Sequence, residues 1–178
     1  MPPLNIAPGR GIVSIRRKEI DPNEIQGFVL ESSEQLVVLQ YVYDFHVDGL
    51  MVLSRSDISE VRETKTDKFQ TRLLKQEGLF EEVPFGDKFE VKGWRSIINQ
   101  LSRSYPLLIL ECERGNDQDF VIGRLVKTTS AAAYVQHFTG TGRWLDEPVR
   151  VAYKDLTCIQ AGSNYLNFYQ RYFERSAL

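Results

Sequence analysis

The stretch GFVLESSEQLVVLQYVYDFHVDGLMVLSRSDISEV, residues 27–61, decides how this chain is read, because a diverged copy follows it. The copy is GRLVKTTSAAAYVQHFTGTGRWLDEPVRVAYKDLTCI, residues 123–159. Each reads as a glycine, a strand, a tight polar turn, a second strand, then an apolar run. The run closes on Asp57-Ile58-Ser59-Glu60-Val61 in the first and on Asp155-Leu156-Thr157-Cys158-Ile159 in the second. Gly27 matches Gly123, Gln40 matches Gln136 and, after a longer loop, Asp57 matches Asp155. Phe69 and Arg72 match Phe168 and Arg171 in the helices that follow.

Outward from that stretch, the residues 1–9 hold three prolines and no periodicity, and read as an extended arm. A first strand is expected at residues 11–18, a turn at Asp21-Pro22-Asn23, and a strand through Ile25, Phe28 and Leu30. Residues 35–43 are apolar on both faces, so one face must fill a core and the other must meet a helix, another unit or a partner. A polar loop at 44–49, a strand at 50–53 and a short strand at 58–61 complete the unit. Thr64-Lys65-Thr66-Asp67 reads as a capping box; it opens a helix over 65–77 with Phe69, Leu73 and Leu74 as its apolar stripe and Gly78 as its stop.

Residues 80–92 are acidic, carry Pro84 and Gly86, and read as the linker between a first unit, 10–79, and a second, 93–178. Trp94, Ile97, Ile98 and Leu101 give a helix over 94–103. Strands at 107–112, 120–127, 131–138, 149–153 and 156–159 follow, with a turn at Gly115-Asn116-Asp117. Ser163 caps a last helix over 164–174 carrying Tyr165, Phe168, Tyr169, Tyr172 and Phe173.

Five short strands in a row with a helix beside them predict a mainly β protein: two tandem five-stranded, strongly bent β-barrels, each followed by a helix. The residues Gly27-Phe28-Val29-Leu30 through Leu36-Val37-Val38-Leu39 resemble an Sm-like domain, which places a glycine in its second strand and an apolar third strand after a short loop. Arg55-Ser56-Asp57-Ile58 is similar to the basic residue that this family sets before a short fifth strand, and the helix at 94–103 resembles the family's N-terminal helix. The doubled pattern is also similar to bacterial proteins with a duplicated barrel of this kind. Sm-like RNA binders carry an Asp and an Asn around the loop between the second and third strands. Here those places read Ser33-Glu34-Gln35-Leu36 and Thr129-Ser130-Ala131-Ala132, and the Asn is absent from both. The resemblance therefore implies the fold, and RNA or nucleotide binding stands as the alternative function.

The 178 residues carry 22 basic and 24 acidic side chains, net −2, without the basic excess of a dedicated nucleic-acid binder. Divided at residue 89, the first part has 11 basic and 15 acidic residues and the second 11 and 9. Two cysteines, no leader-like N-terminus and no long apolar run point to a reducing, cytoplasmic setting.

No motif names a reaction. His46 and His137 lack the partners of a zinc site and read as surface or packing residues. Cys112 and Cys158 read as buried structural thiols, with a redox-sensitive pair as the alternative. Gly140-Thr141-Gly142-Arg143 opens no helix and reads as a hairpin tip rather than a phosphate cradle. Arg16, Arg17, Lys18 and Arg143 are the candidate nucleic-acid contacts. Tyr165, Phe168, Tyr169, Tyr172 and Phe173 are candidates for core packing or an intersubunit seam. The expected function is a non-enzymatic binding or assembly module without cofactor or metal, acting on a protein partner or on a second copy as a homodimer.

Overall fold

A computed structural model describes residues 4–114 and 119–176. The turn expected at Gly115-Asn116-Asp117 and the first three residues of the N-terminal arm lie outside them. Five strands, β1 (Ile12–Arg17), β2 (Asp21–Ser32), β3 (Leu36–Tyr43), β4 (His46–Ser54) and β5 (Glu60–Arg62), precede helix α1 (Lys65–Gln76). Helix α2 (Trp94–Ser104) opens the second copy. It is followed by β6 (Leu108–Cys112), β7 (Asp119–Thr128), β8 (Ala132–His137), β9 (Val149–Ala152), β10 (Cys158–Ala161) and helix α3 (Asn164–Ser176).

All the strands pair antiparallel in one sheet of order β5-β1-β2-β3-β4-β10-β6-β7-β8-β9. The two separate barrels expected from the sequence are thus replaced by one open sheet. Neither copy joins its fourth strand to its fifth. β4 pairs instead with β10 of the other copy, Leu53 opposite Cys158 and Val52 opposite Ile159. Backbone donors and acceptors left on β4 must find partners, and β10 supplies them.

The duplication is repeated bond for bond. A bulge interrupts β2 between Val29 and Glu31 and β7 between Leu125 and Lys127, the same place in each copy. In the turn that follows, Ser33 Oγ accepts the N–H groups of Gln35 and Leu36. Thr129 Oγ1 accepts those of Ala131 and Ala132. The matched glutamines reach the same way: Gln40 donates its amide to the Gly49 carbonyl and Gln136 donates its own to that of Leu145. The matched glycines are required by close approach, since a Cβ on Gly27 or Gly123 would overlap the carbonyl oxygen of Gln40 or Gln136.

Both faces of β3 are buried, as its composition demands. Val37 and Leu39 join Ile15, Val29 and Leu53 in one cluster, and Leu36, Val38 and Val42 join another with Phe28, Val52, Ile97, Ile98 and Leu101 of α2. The first copy has no helix before β1. Ile6 of the N-terminal arm packs into the first cluster instead, and Ser32 Oγ donates to its carbonyl. Residues 79–92 are packed rather than free: Phe80, Val83 and Phe85 lie against the outer face of β2, with Phe80 and Phe85 edge-on to Phe28 at 5.7 and 5.5 Å.

Several boundaries depart from the sequence reading. The first turn is at residues 18–20, where Ile20 N–H donates to Arg17 carbonyl, and Asp21-Pro22-Asn23 lies inside β2. Asp44 and Phe45, at φ 44° and 65°, make a two-residue hairpin turn, so β4 begins at His46 and the expected loop at 44–49 is mostly strand. The fifth strand of each copy starts two residues later than expected, because 55–57 form a 3₁₀ turn and 153–155 a turn of the same hydrogen bonding. On α1 the capping box is made in full, but the buried face is Asp67, Thr71 and Leu74. Phe69 is 47% exposed. Fully buried Asp67 accepts from Ser14 Oγ, Gln26 Nε2 and Thr64 N–H, and Thr71 Oγ1 accepts from Ile12 N–H. Polar groups on β1 and β2 select that helix face, since a buried carboxylate without them would cost several kcal/mol.

Backbone overlap makes the matched glycines the sharpest test of the repeat. Gly123→Ala and Gly27→Ala are each expected to lower stability by about 3 kcal/mol or to prevent folding. Gly140→Ala, where a Cβ meets open space, should change it by less than about 0.5 kcal/mol in urea unfolding.

Candidate interaction surface

The cations singled out in the sequence do not form one surface. Arg16 donates to Glu24 and Glu60. Arg17 is buried and holds Glu113 of the other copy in a two-pronged pair at 2.6 and 2.9 Å. Glu113 also accepts from Thr157 Oγ1 at 2.6 Å. Burial is the largest single influence and works against the Arg17 charge, but the bond to Glu113 together with the nearby Cys158, Glu113 and Glu111 raises the guanidinium pKa above its ordinary value. Lys18 is exposed beside them, and Arg143 is exposed on the hairpin between β8 and β9 of the second copy. A residue read as a free cation in the sequence is therefore a cross-copy clamp. Its β-strand register, with Ile15 and Arg17 on the core side, is the signal that could have shown it.

The remaining titratable candidates take structural roles. His137 Nδ1 lies 3.1 Å from Ile122 N and 2.9 Å from Ile122 O, and its ring stacks on Phe138. Exposed His46 sets Nδ1 against the Asp44 carbonyl at 2.9 Å. It borders a polar cleft of about 600 Å³ with Asp48, Asn164 and Asn167. Among the described residues no group of three or more His, Cys, Asp or Glu side chains is placed to hold a metal ion. Cys112 and Cys158 are on neighbouring strands, but Cys158 pairs with Glu111, so the two thiols point to opposite faces and into different clusters. The redox-pair alternative is thereby corrected. Burial pushes the Cys112 thiol up to about 11 and raises that of Cys158 well above its usual range.

The two sheet edges are poor docking strands. β5 has three residues, with Glu60 and Arg62 in ion pairs, and β9 is preceded by Pro148 and carries exposed Arg150. Shortness, charge and proline are the devices by which edges avoid pairing. The loop 139–143 is a hairpin tip, closed by Thr139 N–H to Arg143 carbonyl.

Helix α3 is different. Its aromatics divide by face: Phe173 is buried and Tyr169 half-buried against Phe138 and Trp144, with ring centroids 4.5–4.9 Å apart. Tyr165, Phe168 and Tyr172 point outward and are 50%, 62% and 50% exposed. They follow the i, i+3, i+7 spacing of one helical stripe. Phe168, Tyr169 and Tyr172 line a groove of about 250 Å³ against Gly140, Thr141 and Gly142. Tyr169 Oη donates to the Gly140 carbonyl at 2.8 Å, fixing hairpin to helix. Arg171 lies over Phe168 at 4.4 Å, as Arg72 lies over Phe69 at 5.3 Å on α1. No described helix is long and apolar enough to cross a membrane. Comparisons with family models, curated proteins and solved structures gave no match.

Two measurements test this account. Glu113→Ala leaves Arg17 buried without its partner and should destabilise the fold by about 3–5 kcal/mol, whereas the double change Arg17→Met with Glu113→Leu should recover most of that loss. Because folding raises the Cys112 pKa from 9.0 to about 11, its contribution to stability is complete below pH 9 and is lost as pH rises toward 11. Neither thiol of the folded protein should react with a disulfide reagent at neutral pH, and both should react once urea unfolds it.

Proposed function

We propose that this protein is a non-enzymatic assembly module, built from two tandem Sm-like units, that docks a second copy of itself through the outer face of α3. The observation that carries the reading is the stripe of Tyr165, Phe168 and Tyr172, half or more exposed on a helix whose other aromatics already anchor it. Aromatic side chains of this size are the usual anchors of protein interfaces. A stripe on one helix is self-complementary across a two-fold axis, where residue i of one copy meets residue j of the other and the reverse. Tyrosine hydroxyls at its rim stay wet while the rings are covered.

The strand order β5-β1-β2-β3-β4, repeated as β10-β6-β7-β8-β9, and the shared bulge and turn support the Sm-like reading of each unit. The proposal places the molecule with proteins that act by holding others. No chemistry is assigned to His46, His137 or the thiols: the ring nitrogens of both histidines face backbone groups, and each thiol is buried in an apolar cluster.

Sedimentation of the whole chain over a range of concentrations tests this. The wild type should reach the mass of a dimer, and Phe168→Ser with Tyr172→Ser should raise the dissociation constant by about 30-fold or more while leaving the unfolding midpoint in place. A wild type that stays monomeric, or a variant that dimerises as before, would refute the seam.

A further inference from the structure

The two copies differ in charge on one part of one sheet face, and the difference is directional. In the first copy the outer positions Phe28, Leu30, Val38 and Val52 are buried in one cluster with Ile97, Ile98 and Leu101 of α2 and with Phe80, Val83 and Phe85 of the segment between the copies. That segment is acidic, with Glu81, Glu82 and Asp87, and its rings are held by cations: Arg10 lies over Phe85 at 4.6 Å and Lys75 over Phe80 at 4.7 Å. The register assigns the matching positions of the second copy to Arg124, Val126, Tyr134 and Arg150, with Lys127 in the place of Glu31. Arg124, Val126, Lys127 and Arg150 are exposed, Val126 by 51%.

On this face Lys127 pairs across to Tyr134, and Tyr134 to Arg150. Lys127 Nζ lies 4.8 Å over the Tyr134 ring, and Arg124 lies 4.8 Å over Trp144. No acidic residue occurs in 120–128, 132–137 or 149–152. Asp119, at the far end of β7, is opposite Cys112 and is exposed. Arg150 borders a small cleft that Asp119 and Asp155 also line; the like charges of Arg124, Lys127 and Arg150 on one sheet face repel one another, and an anionic partner relieves that repulsion.

We propose that the outer face of β7, β8 and β9 binds an acidic polypeptide segment carrying an apolar or aromatic side chain, in the way its counterpart in the first copy holds residues 79–87. Charge complementarity selects an anion, and exposed Val126 between Arg124 and Lys127 selects a segment with an apolar side chain over a bare phosphate chain. The face is separate from the α3 stripe and does not depend on it.

The probe is a fluorescent peptide with the sequence of residues 79–87, titrated with the intact protein and with the non-associating α3 variant, so that loss of dimerisation and loss of peptide binding are read separately. Binding should weaken with added salt, fall by about tenfold or more in Lys127→Glu with Arg150→Glu, and fall similarly when Glu81 and Glu82 of the peptide are changed to Gln. A peptide in which both are changed to Lys should bind the charge-reversed protein better than the wild type, which keeps the test valid if either variant is less stable. No binding, binding indifferent to the reversal, or a short oligouridylate binding this face where the peptide does not would each overturn the proposal, the last in favour of single-stranded nucleic acid.

Discussion

Backbone pairing between β4 and β10 is the constraint on which the rest of the molecule depends. It turns two short five-strand units into one sheet and gives β4, which would otherwise end in open donors and acceptors, a partner over Leu50 to Leu53. The side chains at that junction are Leu50, Val52, Leu53, Cys158, Ile159 and Ala161, each buried. Around it the chain places its cross-copy contacts: Arg17 to Glu113, Arg114 to Asp57 at 2.7 Å, and Asn164 N–H to Asp48 at 2.7 Å. The pair at Arg17 is the most buried of the three. A desolvated ion pair of this kind adds little net energy but strongly penalises any arrangement that separates its members, so it fixes how the copies sit.

Because the copies share a backbone plan, their divergence is informative. Positions that serve the plan are kept in kind: the glycine under a glutamine carbonyl, the Ser or Thr closing the bulged turn, the apolar inner row of β3 and β8. Positions at the junction and at the free edges diverge according to what they meet. Cys158, Ile159 and Ala161 of β10 correspond to Glu60, Val61 and Glu63 at the open end of the sheet, and Leu50 and Val52 of β4 to Pro148 and Arg150. Apolar residues lie where a strand is covered, and charge and proline where it is not. The sheet is ended at both sides, which leaves helix faces and sheet faces for recognition.

Much of the fold was legible from local signals. The capping box at Thr64 and Asp67, the doubly apolar β3 and the matched Gly27 and Gly123 each carried a physical requirement that does not depend on the rest of the chain. What could not be read was whatever a distant partner decides. Nothing near Asp67 in sequence says that Ser14 and Gln26 will turn it inward and leave Phe69 outside. Nothing near Arg17 announces Glu113. Closure is hidden for the same reason: a strand pattern specifies that β4 needs an edge, not whose. The α3 stripe was visible as a run of aromatics, but its division into anchoring and exposed members needed Phe138 and Trp144 to be placed.

If β4 and β10 are truly one ladder, the two copies cannot open independently. Amide hydrogen exchange reports this directly, residue by residue. The amides that join β4 to β10, Ser54 N–H to the Thr157 carbonyl among them, should exchange only through global unfolding, as slowly as those between β3 and β2. Junction amides that exchange sooner, while each copy remains protected, would show two units resting side by side and contradict the single sheet.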